Sequence, residues 1–178
     1  MVPRTDFVLL EGRSHQLADM NWADSYPIAE PYSLLPWHQL SESQISQAFA
    51  LGAPAELQPP VSPSALEPAI SLSLLHHNNP VGWLLAHRTE ADSVRYSSLF
   101  VAPGHRTRAR GMTLLVEGFR RQHNAAIPKA RAAIHHKNRG MLRLLQRHLG
   151  AHLHKIGTSR LSQAPPVQSL NATAPSHP

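Results

Sequence analysis

The sequence predicts an α+β fold in which helices flank a largely antiparallel sheet, and three observations predict it. Three apolar, β-prone runs, 70–76, 81–87 and 94–101, are joined by short polar turns at His77-Asn78-Asn79-Pro80 and Glu90-Ala91-Asp92, the pattern of an antiparallel meander. After Pro103 and Gly104 the period changes: Met112, Leu114, Leu115 and Phe119 recur at helical spacing, giving a helix from Arg110 to about His123. Residues 130–136 then read as a strand, and the run from Asn138 to Leu145 as the start of a second helix. The resulting order is βββαβα.

Taken along the chain, residues 1–25 form an N-terminal extension with a short strand expected at Phe7 to Leu10 and no legible purpose. Ser41-Glu42-Ser43-Gln44 has the pattern of a capping box and opens a helix through Ile45, Ala48, Phe49 and Leu51, stopped by Gly52 and Pro54. Five prolines between 54 and 68 make the next stretch a semi-rigid loop, either a plain surface connector or a wall that shapes specificity. One domain is expected over 26–161, followed by a proline- and serine-rich disordered tail over 162–178.

The run from Leu99 to Leu115 carries the chemistry. Leu99, Phe100 and Val101 end a buried strand, and the helix begins among Arg106, Arg108 and Arg110. The first amides of a helix lack intrahelical partners and sit at the positive end of its dipole, so they attract anionic oxygens. Ala109 and Gly111 are small enough for a diphosphate to approach Thr107 to Met112.

The spacing Arg106-x-x-Ala109-x-Gly111, behind the turn Val101-Ala102-Pro103, resembles the acetyl-coenzyme A signature R/Q-x-x-G-x-G/A of the GNAT superfamily of N-acetyltransferases. Alanine replaces the first glycine of that pattern at Ala109. The resemblance covers about residues 70–160 and implies the GNAT-like acyl-CoA N-acyltransferase fold, a mixed, mostly antiparallel central sheet, with Tyr32 to Trp37 as its first strand. It implies acetyl-CoA as co-substrate, held by Leu99, Phe100, Val101, Arg106, Thr107, Arg108, Ala109, Arg110, Gly111 and Met112. Asn138 caps the second helix and, by the resemblance, also touches the pantetheine or orders the parted strands. The reaction implied is direct attack of an amine on the thioester, with a backbone amide near Leu99 to Val101 polarising the carbonyl. Two usual proton-transfer positions depart from the family: a glutamate is Ser97 here and a tyrosine is Leu145. Ser97, through a held water, and His135 or His136, as base, are the remaining candidates.

Charge separates the two halves of the chain. From Ser93 onward fourteen lysines and arginines face one acid, Glu117, whereas residues 1–92 carry three basic residues and ten acids. Such a basic half suits coenzyme A, with Arg120, Arg139 and Arg143 as neighbours of the loop. It is also the footprint of phosphate-backbone contact, although few aromatics are interleaved and no nucleic-acid-reading motif is present. The chain has no cysteine, no run of about eighteen apolar residues and no apolar leader segment, so cytoplasm is the expected compartment and a membrane partner is not. Thirteen histidines form no compact ligand spacing, and no metal is expected. Three functions stay open: an N-acetyltransferase acting on a small-molecule or protein amine, a non-catalytic CoA-binding module of the same fold, and a basic nucleic-acid-associated protein. Homodimer formation also stays open.

Overall fold

The structure, a computed structural model, describes residues 6–159. The tail expected to be disordered lies outside them. Within them run β1 (Phe7–Arg13), α1 (Ser14–Ala18), β2 (Tyr32–Pro36), α2 (Glu42–Phe49), β3 (Leu72–His76), β4 (Asn79–Glu90), β5 (Ser93–Val101), α3 (Arg110–Asn124), β6 (Lys129–His135), α4 (Arg139–Leu149) and β7 (Leu153–Ser159). The strands form one sheet in the order β2-β3-β4-β5-β6-β1-β7. Every neighbouring pair is antiparallel except β5 and β6, which α3 connects in parallel. The expected mixed, mostly antiparallel sheet with flanking helices is therefore present.

Local chemistry explains the meander. His77 and Asn78 both take positive φ, 47° and 65°, which is the two-residue turn whose twist matches a hairpin, and Asn79 already pairs with His76. Ser41 and Gln44 form the reciprocal capping box that opens α2. Alternating residues of β4 then serve two cores. Leu84 and Ala86 join Leu114, Leu115 and Phe119 of α3 on one face, while Trp83 and Leu85 join Trp37, Ala48 of α2 and Phe100 on the other. The proline-rich stretch is fastened to this second face. The Leu57 carbonyl accepts from Trp83 Nε1 at 3.0 Å and from Ser98 Oγ at 2.7 Å, and Leu57 and Leu66 pack into the cluster.

Two elements were not anticipated, α1 and β7, and a third lies in an unexpected place. The strand foreseen at Phe7 to Leu10 runs on to Arg13 and sits inside the sheet, between β6 and β7. Arg131 of β6 reaches Glu11 of β1 at 2.8 Å and Glu90 of β4 at 2.7 Å, tying this strand to the meander. Arg131 is held fully charged by those two carboxylates.

Candidate functional site

The β5–β6 ladder begins at Ser93↔Lys129 and ends at Tyr96↔Ala132. Beyond that point β5 runs on to Val101 and β6 to His135 without facing each other, so the sheet opens into a cleft. A bulge coincides with the fork. Leu85 pairs with Ser98 and Ala86 with Tyr96, which leaves Ser97 as the extra residue of β5, and such an insertion bends the strand that carries it. Below the fork the closed end is plugged. Tyr96 is buried, its hydroxyl donates to Gln122 Oε1 at 2.9 Å, and Gln122 Nε2 donates to the Ile127 carbonyl at 2.9 Å. Burial pushes the Tyr96 phenol up, so it stays neutral.

The basic loop stands at the mouth of the free arm of β5. Arg106 folds back and its Nε donates to the Val101 carbonyl at 2.7 Å. Arg110 Nη1 donates to Thr107 Oγ1 at 2.7 Å and to the carbonyls of His105 and Thr107, each at 3.2 Å, while its guanidinium lies 3.8 Å from the Tyr32 ring centre. These two arginines clasp the loop. Arg108 is exposed and has no side-chain partner among the described residues.

Within the clasp the backbone is bent sharply. Arg108 and Ala109 take left-handed conformations, φ 54° and 52°, and Ala109 is the N-cap of α3. Such a φ costs a residue with a Cβ about 1 kcal/mol or more, so the alanine that replaces the first signature glycine adopts the glycine-like turn under strain. The result leaves the amides of Arg108, Ala109, Gly111 and Met112 without an acceptor among the described residues. The first ordinary helical bond is Thr113 N to Ala109 O, 2.9 Å. Unpaired donors converging at a helix start are a ready anion site.

Asn138 Oδ1 accepts from Met141 N at 3.1 Å, the helix-capping role. Ser97 lies at the fork, with its hydroxyl donating to the Leu85 carbonyl at 3.3 Å. His135 lies three residues beyond the last pair of β6 with β5, about 10 Å along the strand from the fork, so the structure does not bring it together with Ser97. Leu145 is buried in the main core. Arg120, expected beside the loop, is instead paired with Asp24 at 2.8 Å and bonded to the Ala18 carbonyl.

Sequence reading missed the ring cluster behind the loop. Tyr32 OH and His105 Nδ1 are 2.8 Å apart, and the rings of His76 and His77 pack alongside. Tyr32 and His76 face each other across the β2–β3 ladder, a juxtaposition that no local pattern carries. Desolvation, with His77, His105 and Arg110 nearby, lowers the His76 pKa below its ordinary 6.5. The unfolded chain therefore takes up this proton first on acidification. The resulting contribution is complete above about pH 6.5 and is lost as pH falls below that value. Thermal melts at pH 7.5 and 5.5 should show a larger acid-induced loss for the wild type than for His76→Gln; equal losses would contradict the placement of His76.

Among solved structures, the GCN5-related N-acetyltransferase from Sphaerobacter thermophilus superposes with a TM-score of 0.63 over 88% of this chain, at 16% identity. The fold is that of the GNAT acetyltransferases. A tandem GNAT protein from the clavulanic acid biosynthesis pathway gives 0.60 over 85% of the chain at 14% identity. A GNAT family acetyltransferase from Elizabethkingia anophelis, with acetyl-CoA bound, gives 0.52 over 67% of this chain and 75% of its own at 15% identity. The chain spans about half the length of the first two, 50% of each. No family model and no curated protein matches the sequence.

On this GNAT fold the charge asymmetry of the sequence is partly cancelled in space. Lys129 pairs with Asp92, Arg120 with Asp24 and Arg131 with Glu11 and Glu90, so acids of the first half neutralise bases of the second. Among the described residues, the arginines of the loop and of α4 have no carboxylate partner, so their charge is not cancelled in this way. No helix among the described residues is long and apolar enough to cross a membrane.

Proposed function

We propose that the chain is an acetyl-CoA-dependent N-acyltransferase that passes an acyl group directly from the thioester to an amine. The observation that carries this reading is the joint presence of parted strands and, at their mouth, four amides at the start of α3 that have no acceptor among the described residues. In this reading the amides of Arg108, Ala109, Gly111 and Met112 hold the diphosphate. Arg108, the loop arginine left outside the clasp, neutralises it. The free edge of β5 from Leu99 to Val101 lies alongside the pantetheine, and one of its amides polarises the thioester carbonyl. The amine nitrogen bonds to that carbon, the carbon–sulfur bond breaks, and the amine proton leaves through water held near Ser97, ending on the thiolate.

One observation favours a second reading, a CoA-binding module without catalysis. Leu145, where relatives place a proton-donating tyrosine, is only 5% exposed and belongs to the core, so that position offers no hydroxyl to the cleft. Acetyl-CoA should raise the melting temperature while an oligonucleotide of equal charge should not. Thiol release with a panel of amines then separates enzyme from module. Stabilisation by the oligonucleotide alone would overturn both.

A further inference from the structure

Antiparallel pairing of β1 with β6 brings Asp6 beside two neighbouring histidines that lie some 130 positions away in the sequence. Phe7 faces His135 across the ladder, and one step beyond it the His136 amide donates to the Asp6 carbonyl at 2.8 Å. There the Asp6 carboxylate and the imidazoles of His135 and His136 each present a ligand atom, all within 4.8 Å of one another. Among the described residues, no other group of histidines and acids meets that condition. The two rings are stacked, 4.8 Å apart with an interplanar angle of 24°, and His135 is braced edge-on by Phe7 at 5.3 Å.

We propose that Asp6, His135 and His136 bind one divalent transition ion, zinc foremost. Two imidazoles and one carboxylate form a borderline donor set, suited to zinc, nickel, cobalt or copper and poorly to calcium or magnesium. His136 Nδ1 lies 3.2 Å from the Asp6 backbone carbonyl, to which it donates, so the lone pair of the neutral ring is on Nε2. A ring nitrogen anchored to a carbonyl in this way is the usual outer support of a ligating histidine. His135 is less prepared, because its Nδ1 accepts from the Lys137 amide at 3.2 Å. Ligation costs that long bond or a change of tautomer. Ligand atoms around a tetrahedral ion stand about 3.3 Å apart, so the side chains close by up to about 1.5 Å, within reach of rotation for the exposed His136. Three protein ligands leave a fourth position for water or a ligand. The ion would bridge the start of β1 and the end of the free arm of β6, stiffening one side of the cleft mouth.

Calorimetric titration of the full chain with zinc at pH 7.5 tests the proposal, with Co²⁺ absorption as a second readout of coordination geometry. One ion per chain is expected, with Asp6→Asn and His136→Gln each weakening binding about tenfold or more, while His76→Gln leaves it unchanged. Circular dichroism melts of the metal-free variants confirm that they fold. If saturable one-to-one binding is missing, or persists unweakened in both site variants, the assignment is overturned.

Discussion

Gly111→Leu will leave the protein folded and reduce its affinity for acetyl-CoA by about a hundredfold or more, equivalent to about 2.7 kcal/mol. A Cβ built on Gly111 meets nothing closer than Val101 Cγ2 at 3.8 Å, an ordinary contact, so the substitution is not excluded by packing. Leucine is also a better helix former than glycine by about 0.8 kcal/mol, which offsets part of any local disturbance. The added side chain starts beside the unpaired amides of Gly111 and Met112, where the diphosphate oxygens must come within about 3 Å of nitrogen. Isothermal titration with acetyl-CoA, paired with a denaturant melt, checks both halves. Wild-type affinity in a folded variant would remove the loop from the binding site; weak binding with a collapsed melt would instead show that Gly111 is structural.

Gly82→Ala should do the opposite, acting first on the stability of the fold. Its added Cβ would lie 2.5 Å from the Phe100 carbonyl oxygen and 3.0 Å from Val101 Cα. Both are backbone atoms of β5, and Gly82 pairs with Val101 across the β4–β5 ladder, so neither can retreat without opening the central strands. A loss of about 3 kcal/mol is expected, at the upper end for forced overpacking. For a domain of this size that lowers the melting temperature by about 10 °C. The disturbance also reaches the loop, because Val101 offers the carbonyl that Arg106 grips. A variant as stable as the wild type would mean that β4 and β5 are not as closely apposed as described.

Local patterns carried most of the meander and the loop into legibility. The alternation around Trp83 and Leu84, the turn residues His77 and Asn78 and the period of Met112, Leu115 and Phe119 are each decided by neighbours within a few residues. What stayed hidden depends on distant partners. Nothing in Phe7-Val8-Leu9-Leu10 specifies a place between β6 and β7, and β7, with Lys155 and Gly157 interrupting its apolar residues, shows no clean alternation. The bulge at Ser97 is likewise fixed by register against β4. At the site, the arginines and Gly111 were readable, but the left-handed turn at Ala109 was not. It lies in a loop that Arg106 and Arg110 fasten at either side, and no residue type at 109 other than glycine announces such a φ. Asp6 was invisible as a companion of His136 because 130 positions separate them.

The placement of β1 between β6 and β7 makes that strand a keystone. Among the described residues β7 has no sheet neighbour except β1, so a form lacking Phe7 to Arg13 would strip β6 of one flank and set β7 adrift. Because Phe7 to Arg13 align with His135 to Lys129, β1 is made more than a hundred residues before the strand it pairs with. Closure of so long a loop is slow, which puts the pairing of β1 with β6 and β7 among the last events of folding.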